Sequence, residues 1–175
     1  MVPDWSTWIP KERGVLCFIM SGGQILLIHK KRGLGAGKVN GPGGRLEAGE
    51  TPLAAAVRET QEEVGVTPTG LREVGVVSFQ FLDGYSLQCT VFAATGMVGE
   101  LCETDEALPF WSPLAEIPYE QMWSDDALWL PLLVEGKPFD GKFVFDGEKM
   151  LHHDVKLRGK CTCTNPQSAP HSDKL

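Results

Sequence analysis

Apolar runs separated by turn residues predict a protein with many β-strands. Two continuous runs, Val15–Met20 and Gln24–His29, flank Ser21-Gly22-Gly23 and predict a hairpin buried on both faces. The stretch from Gly33 to Gly44 is too rich in glycine for a regular element and predicts a loop. Further strands are expected at Leu71–Leu82, Ser86–Ala94, Leu108–Trp111, Phe139–Phe145 and Met150–Leu157.

One helix has recognisable signals at both ends. Thr51 suits the N-cap and Pro52 suits the first helical position, where its missing N–H costs nothing. Gly65 suits the left-handed residue that follows a last helical turn. The pattern therefore predicts a helix over Pro52–Val64.

A second helix is predicted over Asp125–Val134, with Ser124 as its cap. Pro131 lies inside this segment and is expected to kink or delay the helix. Beyond it, the polar segment at the C-terminal end predicts a flexible tail over residues 159–175, which leaves one domain over residues 1–158.

Composition narrows the classes of function. The net charge is −7, which argues against a stable nucleic-acid partner, because such proteins present clustered Lys and Arg. No apolar run is long enough to span a bilayer, so no membrane partner is expected. The protein is also expected to be a monomer. The five cysteines lack zinc-like spacing and are expected to be free thiols in a reducing cytoplasm: Cys17, Cys89, Cys102, Cys161 and Cys163.

Three acidic residues stand out on the first predicted helix. Glu59, Glu62 and Glu63 are spaced at i, i+3 and i+4, so they share a face near the helix C-terminus, where the helix dipole disfavours negative charge. A solvated acidic face is the alternative. A hard cation would make the cluster favourable, and Mg²⁺ commonly bridges carboxylates and phosphates. An acidic protein could hold a polyphosphate substrate in this way.

The same helix carries an extended motif. Gly44 is followed by five residues, Glu50, seven residues and then the run from Arg58 to Val66, which contains Glu62, Glu63 and Gly65. This spacing resembles the signature of the Nudix family of pyrophosphohydrolases. Thr60 is the one departure, since the family usually carries an aliphatic residue there.

The resemblance covers roughly Gly14 to Leu157. Outside the signature, the segments 30–41 and 117–126 are similar to the branch of the family that hydrolyses oxidised purine nucleoside triphosphates such as 8-oxo-dGTP. It implies an α+β fold, an α-β-α sandwich with a mixed sheet flanked by helices. It further implies a Mg²⁺-dependent enzyme, with Mn²⁺ as a substitute, that releases pyrophosphate and cleans the nucleotide pool.

Site residues follow from the resemblance. Glu59, Glu62, Glu63 and Gly43 would hold the metal, and Arg58 would orient a glutamate through a bidentate pair. Glu106 would be an additional metal ligand or the general base, although Asp105 or Glu103 could take that place.

The base pocket is also implied. Asn40 would hydrogen-bond the base and Trp123 would stack on it, while Asp125 and Asp126 would meet its edge. Adjacent carboxyls in an apolar pocket cannot both ionise cheaply, so one would donate and the other accept. Ordinary acids in the first turn of a helix are the alternative. Lys30 would touch base or phosphate, or be a solvated strand end.

Three positions depart from that branch: Leu34, Val39 and Pro42 replace its aromatic residues, so the pocket wall is expected to differ. Two other functions remain open. One is a Nudix hydrolase for a dinucleoside polyphosphate or an RNA 5′ end, and the other is a non-catalytic domain that only binds nucleotide.

Overall fold

A computed structural model describes residues 1–159 of the chain. It contains two α-helices, α1 (Pro52–Val64) and α2 (Asp126–Val134), and short 3₁₀ turns at Leu114–Glu116 and Tyr119–Gln121. The strands, numbered β1 to β11 in chain order, are Glu12–Ser21, Gln24–Lys30, Val39–Asn40, Gly43–Arg45, Thr67–Thr69, Arg72–Phe81, Ser86–Ala94, Gly96–Val98, Ala107–Pro113, Phe139–Asp146 and Lys149–Leu157.

Nine of these strands form one mixed sheet. Its main part runs in the order β11, β10, β6, β7, β1, with β10 parallel to β6 and β1 parallel to β7. Strands β5 and β8 form a separate two-stranded ribbon. The expected α-β-α arrangement of a mixed sheet between helices is therefore confirmed.

Strands β1 and β2 are joined by a turn at Gly22 and Gly23, both with positive φ. They pair with each other only beside this turn and then separate. Strand β1 continues between β7 and β4, whereas β2 continues between β3 and β9. Both strands are largely buried, as expected, but they form a forked sheet rather than a simple hairpin.

Alternate residues of β1 point into two apolar cores. Val15, Cys17 and Ile19 pack on the α1 side of the sheet, and Phe18 packs on the α2 side. Burial on both faces explains the continuous apolar runs in the sequence. The sheet is thus the central layer, and each helix covers one face.

Helix α1 has the predicted bounds, because each end is capped. The Thr51 hydroxyl accepts a hydrogen bond from the Ala54 N–H at 3.2 Å, and Gly65 adopts φ 80° at the C-cap. Thr60 is fully buried and donates its hydroxyl to the Ala56 carbonyl at 2.7 Å. The threonine is therefore accommodated in the core without an unsatisfied polar group.

Two predictions about local structure were wrong. The glycine-rich segment contains the short strands β3 and β4, because its glycines allow the backbone to lie close against β1 and β2. Ser124 does not cap α2; Asp125 occupies the cap position, and its carboxylate accepts a hydrogen bond from the Trp129 indole instead. Pro131 lies within α2 without ending it.

Three cysteines in the described range, Cys17, Cys89 and Cys102, are free thiols. Residues 160–175, with Cys161, Cys163 and most of the predicted tail, lie outside the described residues. No helix between residues 1 and 159 combines the length and apolar character that crossing a bilayer requires.

Candidate active site

Three carboxylates meet beside the fork in the sheet. Glu59 and Glu63 lie one turn apart on α1, and Glu106 lies just before β9. Ligand oxygens of all three fall within 4.8 Å of one another. Burial raises the pKa of Glu59 above its usual value and raises that of Glu63 to about 8. Such a crowded, partly desolvated group of oxygen ligands suits a hard divalent cation, which would offset the cost of the charges.

Glycines of β4 allow α1 to approach this closely. A Cβ atom on Gly44 would lie 2.3 Å from the Glu59 carboxyl carbon, and one on Gly43 would lie 2.1 Å from the Val15 carbonyl oxygen. The Gly43 N–H donates to the Glu63 carboxylate at 3.3 Å. A larger residue at Gly44 would therefore displace the Glu59 carboxylate, and one at Gly43 would push β4 away from β1.

Arg58 ties α1 to the loop before it. Its guanidinium donates to both oxygens of Glu50, at 2.7 and 2.8 Å, and to the Arg45 carbonyl at 3.0 Å. It also contacts Glu59 at 2.9 Å and Glu62 at 3.1 Å. The two hydrogen bonds from Arg58 to Glu50, together with one from the Glu47 N–H, lower the pKa of Glu50 to about 2. The glutamate that Arg58 holds in bidentate fashion is therefore Glu50.

Glu62 occupies a different place from its two neighbours. Its side chain is about half exposed (51%) and contacts Arg58 rather than the three-carboxylate group. The acidic face expected from the sequence is thus divided. Glu59 and Glu63 turn inward toward β4, while Glu62 borders Arg58 at the surface.

A cavity of about 520 Å³ extends from the carboxylates across the sheet toward α2. Two acidic groups line this cavity. One is Glu59, Glu63 and Glu106, and the other, at a different part of the wall, is Asp125 and Asp126. Aromatic side chains make up much of the rest: Phe79, Phe81, Tyr85, Trp123, Trp129 and Phe145. A cavity of this size and mixed lining is suited to a small polar molecule with a flat ring.

Asp125 and Asp126 are both buried, at 2% and 4% exposure. One oxygen of Asp125 accepts a hydrogen bond from the Trp129 indole N–H at 2.8 Å. The other oxygen of Asp125 and Oδ2 of Asp126 have no partner within the described residues. Burial raises the pKa of both carboxyls, and the Asp125 charge raises that of Asp126 further. The pair is therefore set to retain a proton and to bind a ligand that donates and accepts.

Asn40 and Trp123 approach each other across Gly35. A Cβ atom on Gly35, which has φ 82°, would lie 2.7 Å from the Trp123 indole nitrogen and 3.2 Å from the Asn40 amide nitrogen. The Lys38 ammonium lies 5.3 Å from the centre of the Trp123 ring. Lys30 lines the cavity, and its charge acts on the Glu63 carboxyl. The structure thus brings the predicted residues Lys30, Asn40 and Trp123 to one cavity.

The departures at the pocket wall have unequal consequences. Leu34 lines the cavity, but Val39 is buried in the apolar core, and Pro42 is held by its carbonyl, which accepts the Cys17 N–H at 2.8 Å. Sequence reasoning missed other cavity residues, among them Phe79 and Phe81. Their period-two spacing on a predicted strand was an available signal. Arg32, which also lines the cavity, was missed as well.

Comparison with known proteins adds independent findings. A sequence profile described as the NUDIX domain matches residues 10–133. The chain is 42% identical to the oxidized purine nucleoside triphosphate hydrolase of Danio rerio over 146 residues, covering 83% of this chain and 90% of that protein. It is 38% identical to the protein of that name from Mus musculus, covering 81% and 92% respectively.

Among solved structures, a MutT protein from Bacillus halodurans superposes with a TM-score of 0.73 at 26% identity. The match covers 82% of this chain and 97% of that one. The similarity therefore extends over nearly all of the fold described above.

Proposed function

The chain belongs to the Nudix hydrolase family, and from that premise we propose that it hydrolyses oxidised purine nucleoside triphosphates such as 8-oxo-dGTP. The products are the nucleoside monophosphate and pyrophosphate. The observation that carries this proposal is one cavity holding both a metal-suited carboxylate group and the unpartnered carboxyls of Asp125 and Asp126. The names of the relatives from fish and mouse agree with it.

At the phosphate end, Glu59, Glu63 and Glu106 would hold Mg²⁺, with Mn²⁺ as a substitute. Of the other two residues predicted for the metal, Gly43 would position the Glu63 carboxylate through its N–H, and Glu62 would border the site beside Arg58. When bound, the metal supplies positive charge to the phosphates and acidifies water. We assign Glu106 the role of ligand, because its carboxylate lies in the same group as those of α1. Arg58 holds the loop and helix in register, so that the carboxylates keep their positions.

The bond that breaks joins phosphorus to an anhydride oxygen, and a water oxygen takes its place. The proton leaves to solvent or to a carboxylate, and pyrophosphate departs with the electron pair. Phosphoryl transfer of this kind depends mainly on positioning and charge neutralisation. Lys30, at the cavity wall near Glu63, would contribute positive charge on the side of the phosphates.

At the base end, Trp123 would stack on the purine and the Asn40 amide would hydrogen-bond its edge. Asp125 and Asp126 share a proton between them, so one offers a donor and the other an acceptor. An oxidised purine differs from the normal base in its pattern of donors and acceptors. A site whose buried polar groups are satisfied by one pattern rejects another strongly.

We further propose that the protein acts as a cytoplasmic monomer in nucleotide-pool sanitation, and so protects DNA from oxidised precursors as part of DNA repair. The catalytic domain would occupy residues 1–158. The net charge of −7 supports a role without a stable nucleic-acid partner, because the phosphate backbone would be repelled.

The test is a hydrolysis screen of the purified protein with magnesium. We expect a higher kcat/KM for 8-oxo-dGTP than for dGTP, and no turnover in excess EDTA. A ratio near one, or a preference for a dinucleoside polyphosphate or an RNA 5′ end, would contradict the substrate. Nucleotide binding without hydrolysis would contradict the catalytic assignment.

A further inference from the structure

The loop between β2 and β3 is attached to the segment before β9 by two basic side chains. Lys31 contacts the Glu103 carboxylate at 2.5 Å and the Thr104 carbonyl at 2.8 Å. Arg32 donates to the Glu106 carboxylate at 2.9 Å. The Lys31 backbone N–H also donates to the Glu106 carbonyl at 2.9 Å. The loop is therefore held by Lys31 even if the contact of Arg32 is lost.

Glu106 is consequently subject to two competing demands. It belongs to the three-carboxylate group with Glu59 and Glu63, yet one of its oxygens is paired with Arg32. The Arg32 side chain is 64% exposed and lines the mouth of the cavity. A cation bound by the group would draw on the charge of the same Glu106 carboxylate that Arg32 now neutralises.

We propose that Arg32 is an exchangeable counter-ion of Glu106: a divalent cation entering the carboxylate group displaces the guanidinium, which then pairs with the phosphates of the substrate. The second half of this proposal rests on the proposed polyphosphate substrate, whereas the first half needs only a divalent cation. Arg32 is thereby a positioning residue that links occupation of the metal site to binding of the phosphate chain.

Exchange is energetically reasonable at this position. An exposed ion pair contributes little to stability, so its loss costs little. A guanidinium presents several N–H donors in a plane and binds phosphate oxygens in bidentate fashion. Arg58 contrasts with it, because its 22%-exposed side chain donates to four separate groups and is not free to leave.

The proposal predicts opposite effects on two ligands. In the free protein Arg32 competes with the cation, so removing it should tighten metal binding. In the presence of the cation Arg32 contacts phosphates, so removing it should weaken polyphosphate binding. A residue that only stabilised the fold would weaken both.

Metal binding is measured on the free protein with Mn²⁺, using the electron paramagnetic resonance signal of unbound Mn²⁺ at about 0.15 M salt, where distant charges are screened. Arg32→Gln should bind Mn²⁺ about 2- to 5-fold more tightly, the range expected for one weak ion pair. Lys31→Gln is the matched control, because it removes a neighbouring charge paired with Glu103, and it should change the affinity less than about 2-fold.

A double variant tests whether Glu106 mediates the effect. In the Glu106→Gln background, Arg32→Gln should leave Mn²⁺ affinity unchanged. Unchanged or weaker Mn²⁺ binding by the single Arg32 variant would overturn the counter-ion assignment. So would equal tightening in Lys31→Gln, or tightening that persists without the Glu106 carboxylate.

The second half is tested by calorimetry with inorganic tripolyphosphate at saturating Mn²⁺, a probe that carries phosphates but no base. Arg32→Gln should bind it about 10- to 100-fold more weakly, the cost of one charge-assisted contact, and Lys31→Gln should match the wild type. No detectable binding, or equal binding by all three proteins, would overturn the phosphate contact. Failure of the proposed function is read separately, from the hydrolysis screen with 8-oxo-dGTP.

Discussion

Glu63 is a buried acid: its burial costs free energy of folding, and its carboxylate is a proposed metal ligand. It is buried to 4% exposure on α1, and its carboxylate receives one N–H, from Gly43. Burial raises the pKa of this carboxyl to about 8, so much of it is protonated at neutral pH without metal. At neutral pH, a bound cation would therefore be needed to make the Glu63 carboxyl fully charged.

Replacing Glu63 with glutamine should therefore separate activity from folding. We expect turnover with magnesium to fall by about two to three orders of magnitude, because one ligand and its charge are lost. Thermal stability without metal should be unchanged or higher, since the amide resembles the protonated carboxyl. Initial rates and thermal denaturation in EDTA measure the two effects. Glu135→Gln, an exposed position, is the control, and near-normal turnover in Glu63→Gln would contradict the metal assignment.

Asp126 is likewise a buried acid, in the base pocket, and its Oδ2 has no hydrogen-bond partner in the described part of the chain. Asp126→Asn and Asp125→Asn should each lower the ratio of kcat/KM for 8-oxo-dGTP over dGTP, by about 10-fold or more. The reason is that an amide always carries N–H donors, whereas a carboxyl can gain or lose the proton that makes it a donor. Mn²⁺ affinity should be unaffected, since the carboxylate group lies elsewhere in the cavity. The exposed Asp146→Asn is the control, and an unchanged ratio would count against base recognition by this pair.

At the scale of elements, the approach of α1 to β4 decides where the carboxylates lie. The Gly44 backbone has no positive φ, so alanine can adopt its conformation. The added methyl would nevertheless lie 2.3 to 2.6 Å from the atoms of the Glu59 carboxylate and must displace it. Because Arg58 also holds that carboxylate, the displacement cannot be absorbed freely.

Gly44→Ala should consequently reduce turnover by about 100-fold, the cost associated with misplacing a catalytic group by about 1 Å. The magnesium concentration for half-maximal rate should rise. The free energy of unfolding in EDTA should change far less, because the atom that must move is at the end of a side chain. Rates across a magnesium titration, with urea denaturation as the control for folding, provide the measurements. Full activity at ordinary magnesium would show that the contact is not needed.

At the scale of the whole molecule, the cavity joins acids from both sides of the sheet, and their raised pKa values affect stability. Glu59, Glu63, Asp125 and Asp126 all have pKa values above those of an unfolded chain. The native protein therefore binds more protons than the unfolded one. The contribution of these four groups to stability is greatest below the unfolded carboxyl pKa and is lost as pH rises through their folded pKa values, which include about 8 for Glu63.

We therefore expect the thermal midpoint of the metal-free protein to fall by more than about 5 °C between pH 6 and pH 9. Magnesium should restore more stability at the higher pH, since it binds the deprotonated carboxylates. Thermal denaturation with EDTA and with magnesium across this range measures both trends. Glu63→Gln should show a shallower fall. A midpoint that rises with pH in EDTA would contradict the raised pKa values.

Much of the architecture could be predicted from patterns among residues that are close together in the sequence. The end signals at Thr51, Pro52 and Gly65 specify α1 to the residue, because capping depends only on neighbours in sequence. The apolar runs located most strands for the same reason, and the signature from Gly44 to Val66 identified the family and its chemistry.

Tertiary structure decided how those parts meet. Glu59, Glu62 and Glu63 share one face of α1, but packing against β4 buries Glu59 and Glu63 and leaves Glu62 about half exposed beside Arg58. Glu106 joins them through contacts distant in sequence, namely the pairing of β9 with β2 and the hydrogen bond that the Thr104 hydroxyl donates to the Glu63 carbonyl at 2.8 Å. The fork of β1 and β2, and the burial of Asp125 and Asp126 in place of a helix cap, likewise depend on long-range packing, which neither periodicity nor spacing encodes.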